Sequence, residues 1–324
     1  MNDAIKKVLA PHALEAKNVK HYQLENILQQ AKDAPPVATA VVHPVDFNSL
    51  EGALEAAEAS IITPIFVGPE KKIRAVAAEN QLDLKDYQII DTEHSHQAAE
   101  KAVEMARLGQ VHALMKGKLG TSELLGAVVS RTGGLRTERR LSHVFIMDVP
   151  SYHKTLFITD AAINIAPNLL DKRDILQNAI DCAHALGVDL PKAAILSAVE
   201  KVKPHIQSTL DAAALCKMVD RGQITGALVD GPLAFDNAIS KEAAEDKGIN
   251  SPIPGDVDIL AAPDLESANM FAKQLQYLAN AKAAGIVMGA RVPIILTSRA
   301  AKPLERLSSC AVAVMVARKM GRLV

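Results

Sequence analysis

Residues 111–129, VHALMKGKLGTSELLGAVV, hold the pattern on which the fold turns. An unbroken apolar run, Val111 to Met115, gives way to a turn of glycines and lysines, and a helical run follows from Glu123 to Val129. A strand covered on both faces reads as continuous apolar residues rather than as an alternation, so the segment is one βα unit. Similar units recur from about residue 36, with candidate strands at Val37 to Val42, Ile61 to Val67, Gln88 to Ile90, Val111 to Met115, Val144 to Asp148, Thr155 to Thr159, Ala193 to Ala198, Ala227 to Val229, Ile259 to Ala261, Gly285 to Met288 and Pro293 to Leu296. Repeated βα units predict parallel sheet. Between the strands, Asp171 to Leu186 reads as a helix closed by Gly187, and Leu265 to Ala281 as another. Pro303 to Lys319 reads as a last helix, with Leu304, Leu307, Ala311 and Val314 on one face.

So many strands exceed what one ordinary open sheet carries, and 324 residues exceed the size at which a single core usually keeps growing. The expected architecture is therefore α/β with two domains and a cleft between them. Apolar residues make up 49% of the chain but aromatics only 3%, with no Trp, so Ala, Val, Leu and Ile must build the core. A formal charge of -1 provides no field that would hold a polyanion, so nucleic acid is not an expected partner. No apolar run approaches the roughly 18 residues that span a bilayer. The stretch MNDAIKKVLAPHALEAK also lacks the apolar segment of a secretory signal, so no membrane partner is expected and the expected location is cytoplasmic.

Three cysteines, Cys182, Cys216 and Cys310, are odd in number, far apart and free of any CxxC pair, which predicts reduced thiols; Cys182 and Cys216, among apolar residues on predicted helices, read as buried and inert. The histidines show no HxxxH or HxxEH spacing, and no metal is expected.

In open α/β sheets, ligands sit beyond the carboxyl ends of the strands, so polar residues just after apolar runs are the candidates. Lys116 to Ser122, Thr159 to Asn164, Asp230 to Pro232, Gly289 to Arg291 and Thr297 to Arg299 meet that criterion. In the first, Lys116, Lys118 and Thr121 stand where backbone N–H groups at a helix start can cradle an anion; the plainer reading is a βα turn with solvated lysines. Neither a P-loop nor a dinucleotide fingerprint is present. Arg131, Arg136, Arg139 and Arg140 crowd a glycine-containing stretch, as a clamp for phosphates or as a solvated surface. Ser298 and Arg299 close an apolar strand just before the last helix and suit an oxyanion or phosphate. Glu305, in that helix's first turn, either accepts a proton at the same mouth or simply complements the helix dipole.

Read together, residues 113–125, 156–168, 226–240 and 255–299 resemble the phosphate acetyltransferase and phosphate butyryltransferase family over nearly the whole chain. The specificity lies in an ordered set: TDAAINIAPN, DGPLAFDNA, PDLESANM and TSR. Residues 134–152, GLRTERRLSHVFIMDVPSY, are similar to the butyryltransferase-like branch. The resemblance implies two doubly wound α/β domains of the isocitrate/isopropylmalate dehydrogenase-like fold, residues 1–142 plus 297–324 and residues 143–296, and a homodimer. It implies reversible transfer of a short acyl group, acetyl or butyryl, between coenzyme A and inorganic phosphate by direct thiol attack on acyl phosphate. Acyl-CoA, acyl phosphate and phosphate are then the partners, coenzyme A is a substrate, and no cofactor stays bound.

Carried over residue by residue, Ser298 and Arg299 match the family's Ser-Arg pair, the serine holding thiol or carbonyl and the arginine neutralising phosphate and oxyanion. Glu305 stands six residues after that arginine, where acetyl members carry an Asp proposed as base. Lys116, Lys118, Thr121, Arg136, Arg140, Asp160, Asn164, Asp230 and Arg291 are the expected substrate- and CoA-binding residues. The same fold serves NAD-dependent decarboxylating dehydrogenases, whose Asp-x3-Asp metal pattern is missing here. A non-catalytic acyl-CoA or acyl-phosphate-binding protein is a third reading, against which the intact Ser298-Arg299 pair stands.

Overall fold

The computed structural model describes residues 22–296 and 301–321. In chain order the elements are α1 (Tyr22–Lys32), β1 (Val37–Val42), α2 (Phe47–Glu58), β2 (Ile62–Gly68), α3 (Glu70–Glu79), β3 (Ile89–Asp91), α4 (Ser95–Arg107), β4 (Ala113–Lys116), α5 (Thr121–Val128), β5 (Ser142–Asp148) and β6 (Thr155–Thr159). There follow α6 (Leu169–Ala185), β7 (Lys192–Leu196), α7 (Gln207–Asp220), β8 (Leu228–Leu233), α8 (Phe235–Ile239), α9 (Lys241–Asp246), β9 (Ile259–Ala261), α10 (Leu265–Leu278), β10 (Lys282–Met288), β11 (Ile294–Ile295) and α11 (Pro303–Lys319).

The strands form one 11-stranded sheet in the order β3-β2-β1-β4-β11-β10-β5-β6-β9-β7-β8. The expectation that so many strands must divide into separate sheets is corrected by this order. Two parallel runs are spliced through antiparallel pairings of β11 with β10, β10 with β5 and β5 with β6, which keep the ladder continuous. Such wide sheets occur in large α/β proteins. Because β3, β2, β1, β4 and β11 run one way and β6, β9, β7 and β8 the other, the carboxyl ends of the two runs lie at opposite edges of the sheet. Strand ends that look equivalent in sequence are thus sorted into two groups.

Local chemistry explains most elements. Asn168 and Asp171 form a capping box at the start of α6, and Asp46 and Asp264 cap α2 and α10 through the backbone N–H groups of Ser49 and Ser267. The expected one-sided apolar face of the last helix is too narrow: α11 is buried almost all round from Ser308 to Val314. It packs against α1, α2, α6 and the sheet, so a helix with several covered sides replaces an amphipathic one. Arg306 is buried on it, and its guanidinium is held 2.8 Å from Glu51 and 2.8 Å from Glu55 of α2. Gly52 makes the room, since a Cβ there would lie 3.0 Å from Arg306 Cδ.

Gly117 has a similar task at the end of β4, where a Cβ would stand 2.5 Å from the carbonyl oxygen of Val42 and 2.8 Å from that of His43. Gly117→Ala is therefore expected to destabilise the chain by about 1–3 kcal/mol through backbone displacement. Thermal denaturation checks this, and an unchanged melting temperature would show that the turn relaxes freely.

Candidate active site

One edge of the sheet holds the turn that follows β4 and the end of β11. Lys116 turns back on its own loop, with Nζ donating to the carbonyls of Gly117 and Leu119 at 3.1 Å each. Lys118 stitches that loop to the end of β1: its N–H donates to His43 O at 2.9 Å, and its carbonyl meets His43 Nδ1 at 2.8 Å, while its side chain is exposed. Thr121 opens α5. These three residues share one turn. Ile295 pairs with Met115, so the chain leaving β11 at Leu296 emerges beside that turn. Thr297, Ser298 and Arg299 lie outside the described residues.

Glu305 faces a cavity of about 310 Å³ on the same edge, lined also by Lys273, Tyr277, Asn280, Lys282 and Lys302. Its carboxylate has a structural task. Oε2 accepts the Lys302 N–H at 2.9 Å, capping the helix, and Oε1 accepts from Gln276 Nε2 and from the Ala283 N–H at 3.4 Å each. Two positions along β10, Ser309 Oγ accepts the Gly285 N–H at 3.0 Å. Helix α11 takes these donors because β11 pairs with β10 only at Ile294 and Ile295, leaving the earlier residues of β10 without a strand on that side.

The opposite edge holds a second group, centred on Asn164. The buried carboxylate of Asp160 accepts the backbone N–H groups of Ala162, Ile163 and Asn164, and Asn164 Nδ2 at 2.6 Å. That amide also donates to Leu141 O at 2.8 Å, and its oxygen accepts from Arg140 Nε at 2.6 Å. Arg140 completes the chain with Asp171 at 3.2 Å. Asp160 and Asn164 are saturated by the protein, and they tie the loop after β6 to the approach to β5. Arg136 and Arg291 are drawn together, since Arg136 bridges Ala290 and the Arg291 N–H donates to Leu135 O at 2.9 Å. Both side chains are exposed, and neither guanidinium has a hydrogen-bond or ionic partner among the described residues. Asp230 is not brought to either group. It lies within β8, the outermost strand on the side away from β4, where Oδ1 accepts the Gly231 N–H at 2.8 Å.

Sequence reading passed over His143, a lone polar ring in an apolar strand. It is 2% exposed, its ring meets Phe145 edge-on at 4.4 Å, and Nδ1 has no hydrogen-bond partner among the described residues. Gly285 leaves it space, for a Cβ there would approach His143 Nε2 to 3.0 Å and Leu296 O to 2.9 Å. Burial holds the imidazole down at about 4, with Asp160 opposing and Lys273 reinforcing the shift. An imidazole that stays neutral when folded but titrates near its ordinary 6.5 when unfolded costs stability as pH falls. The folded protein is thus expected to lose stability progressively from about pH 6.5 down to about pH 4 on this account. His143→Gln, measured by melting against pH, should flatten that slope; an identical slope would remove His143 as its source.

Comparison with known proteins agrees over most of the chain. Residues 96–314 match the family described as phosphate acetyl/butaryl transferase. A phosphate acetyltransferase of Rhizobium meliloti is 58% identical over 295 residues, covering 91% of this chain and 93% of its own length. A phosphate butyryltransferase of Clostridium beijerinckii is 41% identical over 295 residues, covering 91% of this chain and 98% of its own. Among solved structures, a branched-chain phosphotransacylase from Enterococcus faecalis V583 superposes with a TM-score of 0.76 at 29% identity, covering 87% of this chain and 99% of its own. On these matches, and on the ordered segments that sequence and sheet share, the chain belongs to the phosphate acetyl/butaryl transferase family and is an acyltransferase.

Proposed function

We propose that the protein moves a short acyl group, acetyl in the first place, reversibly between coenzyme A and inorganic phosphate, the thiol attacking the acyl phosphate directly in a ternary complex. The observation that carries the reading is the 58% identity to a phosphate acetyltransferase across 91% of the chain, against 41% to a butyryltransferase, which runs against the butyryl-like reading of residues 134–152. In the step, the CoA sulfur bonds to the acyl carbon, the carbon–oxygen bond to phosphate breaks, and the thiol proton passes to a base. Ser298 holds the thiol or the carbonyl, Arg299 neutralises phosphate and developing oxyanion, and Glu305 takes the proton. The anions of substrate draw on Lys116, Lys118, Thr121, Arg136 and Arg291.

The cysteines support a route without an acyl-enzyme. Burial pushes the thiols of Cys182 and Cys310 up to about 12 and that of Cys216 up to about 11. A thiol that stays protonated at neutral pH is a poor nucleophile. The two-domain arrangement, residues 1–142 plus 297–324 and residues 143–296 in an isocitrate/isopropylmalate dehydrogenase-like fold, is part of the same proposal. It is supported by the reversal of strand direction at the centre of the sheet and by the packing of α11 on α1 and α2. A cytoplasmic homodimer without a permanently bound cofactor completes it.

The test is a rate series with acetyl-, propionyl- and butyryl-CoA and phosphate, followed as free thiol. Acetyl-CoA is expected to turn over fastest. A faster butyryl reaction would move the chain to the other branch, and no thiol release from any of them would overturn the reading.

A further inference from the structure

Some lysines of this protein are ion-paired, as Lys154 and Lys192 with Asp256, Lys172 with Asp211 and Lys217 with Asp220 show. The cavity of about 310 Å³ beside α11 collects lysines that are not. Lys273 of α10, Lys282 at the start of β10 and Lys302 at the start of α11 all line it, and none has a carboxylate partner among the described residues. Lys273 Nζ donates to Gln276 Oε1 at 3.0 Å, a neutral acceptor. Tyr277 and Asn280 add polar groups to the wall. The one carboxylate in the lining, Glu305, has an oxygen committed to the helix cap. Three ammonium groups from three elements around one concavity outnumber the single carboxylate in its lining and leave a net positive charge, in a volume at the lower end of small-molecule sites.

Beneath this wall lies the second observation. Phe145, Gly285 and Leu296 separate the cavity from His143, whose buried Nδ1 lacks a partner. The imidazole is held neutral partly by Lys273, so the floor adds no competing cation. Leu296 also leads directly into Thr297-Ser298-Arg299.

We propose that Lys273, Lys282 and Lys302 form a subsite for a phosphate-type oxyanion, a phosphate monoester or diester or inorganic phosphate, next to Leu296 at the end of β11. This rests on the acyl-transfer reading, in which inorganic phosphate and the phosphates of coenzyme A are the two sources of such a group. Lysine serves here as a point charge rather than as a bidentate fork, which suits a group that must enter and leave at every turnover.

Full-length Lys273→Gln and Lys302→Gln, with Lys273→Arg as the charge-keeping variant and Lys101→Gln on α4 as the control, separate the sources. In the direction that consumes phosphate, KM for inorganic phosphate is measured; in the other, KM for coenzyme A and for pantetheine, which lacks the phosphates. The expected result is a KM raised about tenfold or more by the Gln variants, as for a lost charged hydrogen bond, with kcat little changed and Lys273→Arg partly restored. A rise for inorganic phosphate alone assigns the subsite to that substrate, and a rise for coenzyme A but not for pantetheine assigns it to the CoA phosphates. All three KM values within about twofold of the wild type, in variants with an unchanged melting temperature, overturn the subsite. If the wild type releases no thiol from any acyl-CoA, the acyl-transfer reading falls by itself. Calorimetric titration of wild type and Lys273→Gln with inorganic phosphate and with 3′,5′-ADP then decides the subsite, which fails if neither anion binds the wild type more tightly than the variant.

Discussion

Arg299→Ala is expected to lower kcat about 10²- to 10³-fold, the size of loss seen when one preorganised donor to a developing oxyanion is removed. The expectation starts from the sequence, where an arginine directly follows an apolar strand and stands just before a helix. In the sheet β11 ends beside β4, so Leu296, three residues before Arg299 in sequence, lies next to the turn of Lys116, Gly117 and Lys118. When thiol attacks acyl phosphate, negative charge gathers on the carbonyl oxygen and on the departing phosphate, and a guanidinium fork can meet two oxygens at once. Arg299→Lys keeps the charge and loses the fork, so it should fall between wild type and alanine. Initial rates in both directions, taken with melting curves, check the series. Near wild-type turnover by Arg299→Ala would remove the residue from the reaction.

The fold was legible wherever burial on two faces left an unbroken apolar run. Val37–Val42, Thr155–Thr159 and Ile259–Ala261 are strands with the bounds that sequence predicts. Boundaries slipped where side chains of weak strand preference continue a ladder. β10 starts at Lys282 through alanines that resemble the end of a helix, and β8 runs through Asp230-Gly231-Pro232, which reads as a turn. Sheet order was not legible: the short links after β5 and β10 signal antiparallel neighbours, but nothing local says which strands of the two parallel runs lie side by side. That order has a consequence for the site. Lys116, Lys118 and Thr121 gather at one edge and Arg140, Asp160 and Asn164 at the other, although all follow or precede strands in the same way.

Sequence offers Glu305 two roles, helix cap and proton acceptor, and the structure shows the first. One oxygen accepts the Lys302 N–H at 2.9 Å and caps α11. The other has contacts of 3.4 Å to Gln276 and to the Ala283 N–H, and the side chain lies on the cavity wall; in the proposed reaction this oxygen takes the thiol proton. Glu305→Gln retains an oxygen for the cap but loses the basic pair of oxygens, so kcat is expected to drop about 10²-fold, the lower end for a general base, with KM for coenzyme A little changed. The loss should shrink as pH rises toward the thiol's own value of roughly 8.5, since bound coenzyme A is then increasingly thiolate and needs no base. Glu305→Ala should add to this the loss of the cap, about 0.5–2 kcal/mol in a melting or denaturant experiment. The pair of variants separates the roles, because the cap alone predicts that Glu305→Gln matches the wild type in kcat at every pH and that only the alanine variant differs, in stability. Equal kcat-against-pH curves for wild type and Glu305→Gln would therefore assign Glu305 to the helix and leave the thiol proton to another acceptor.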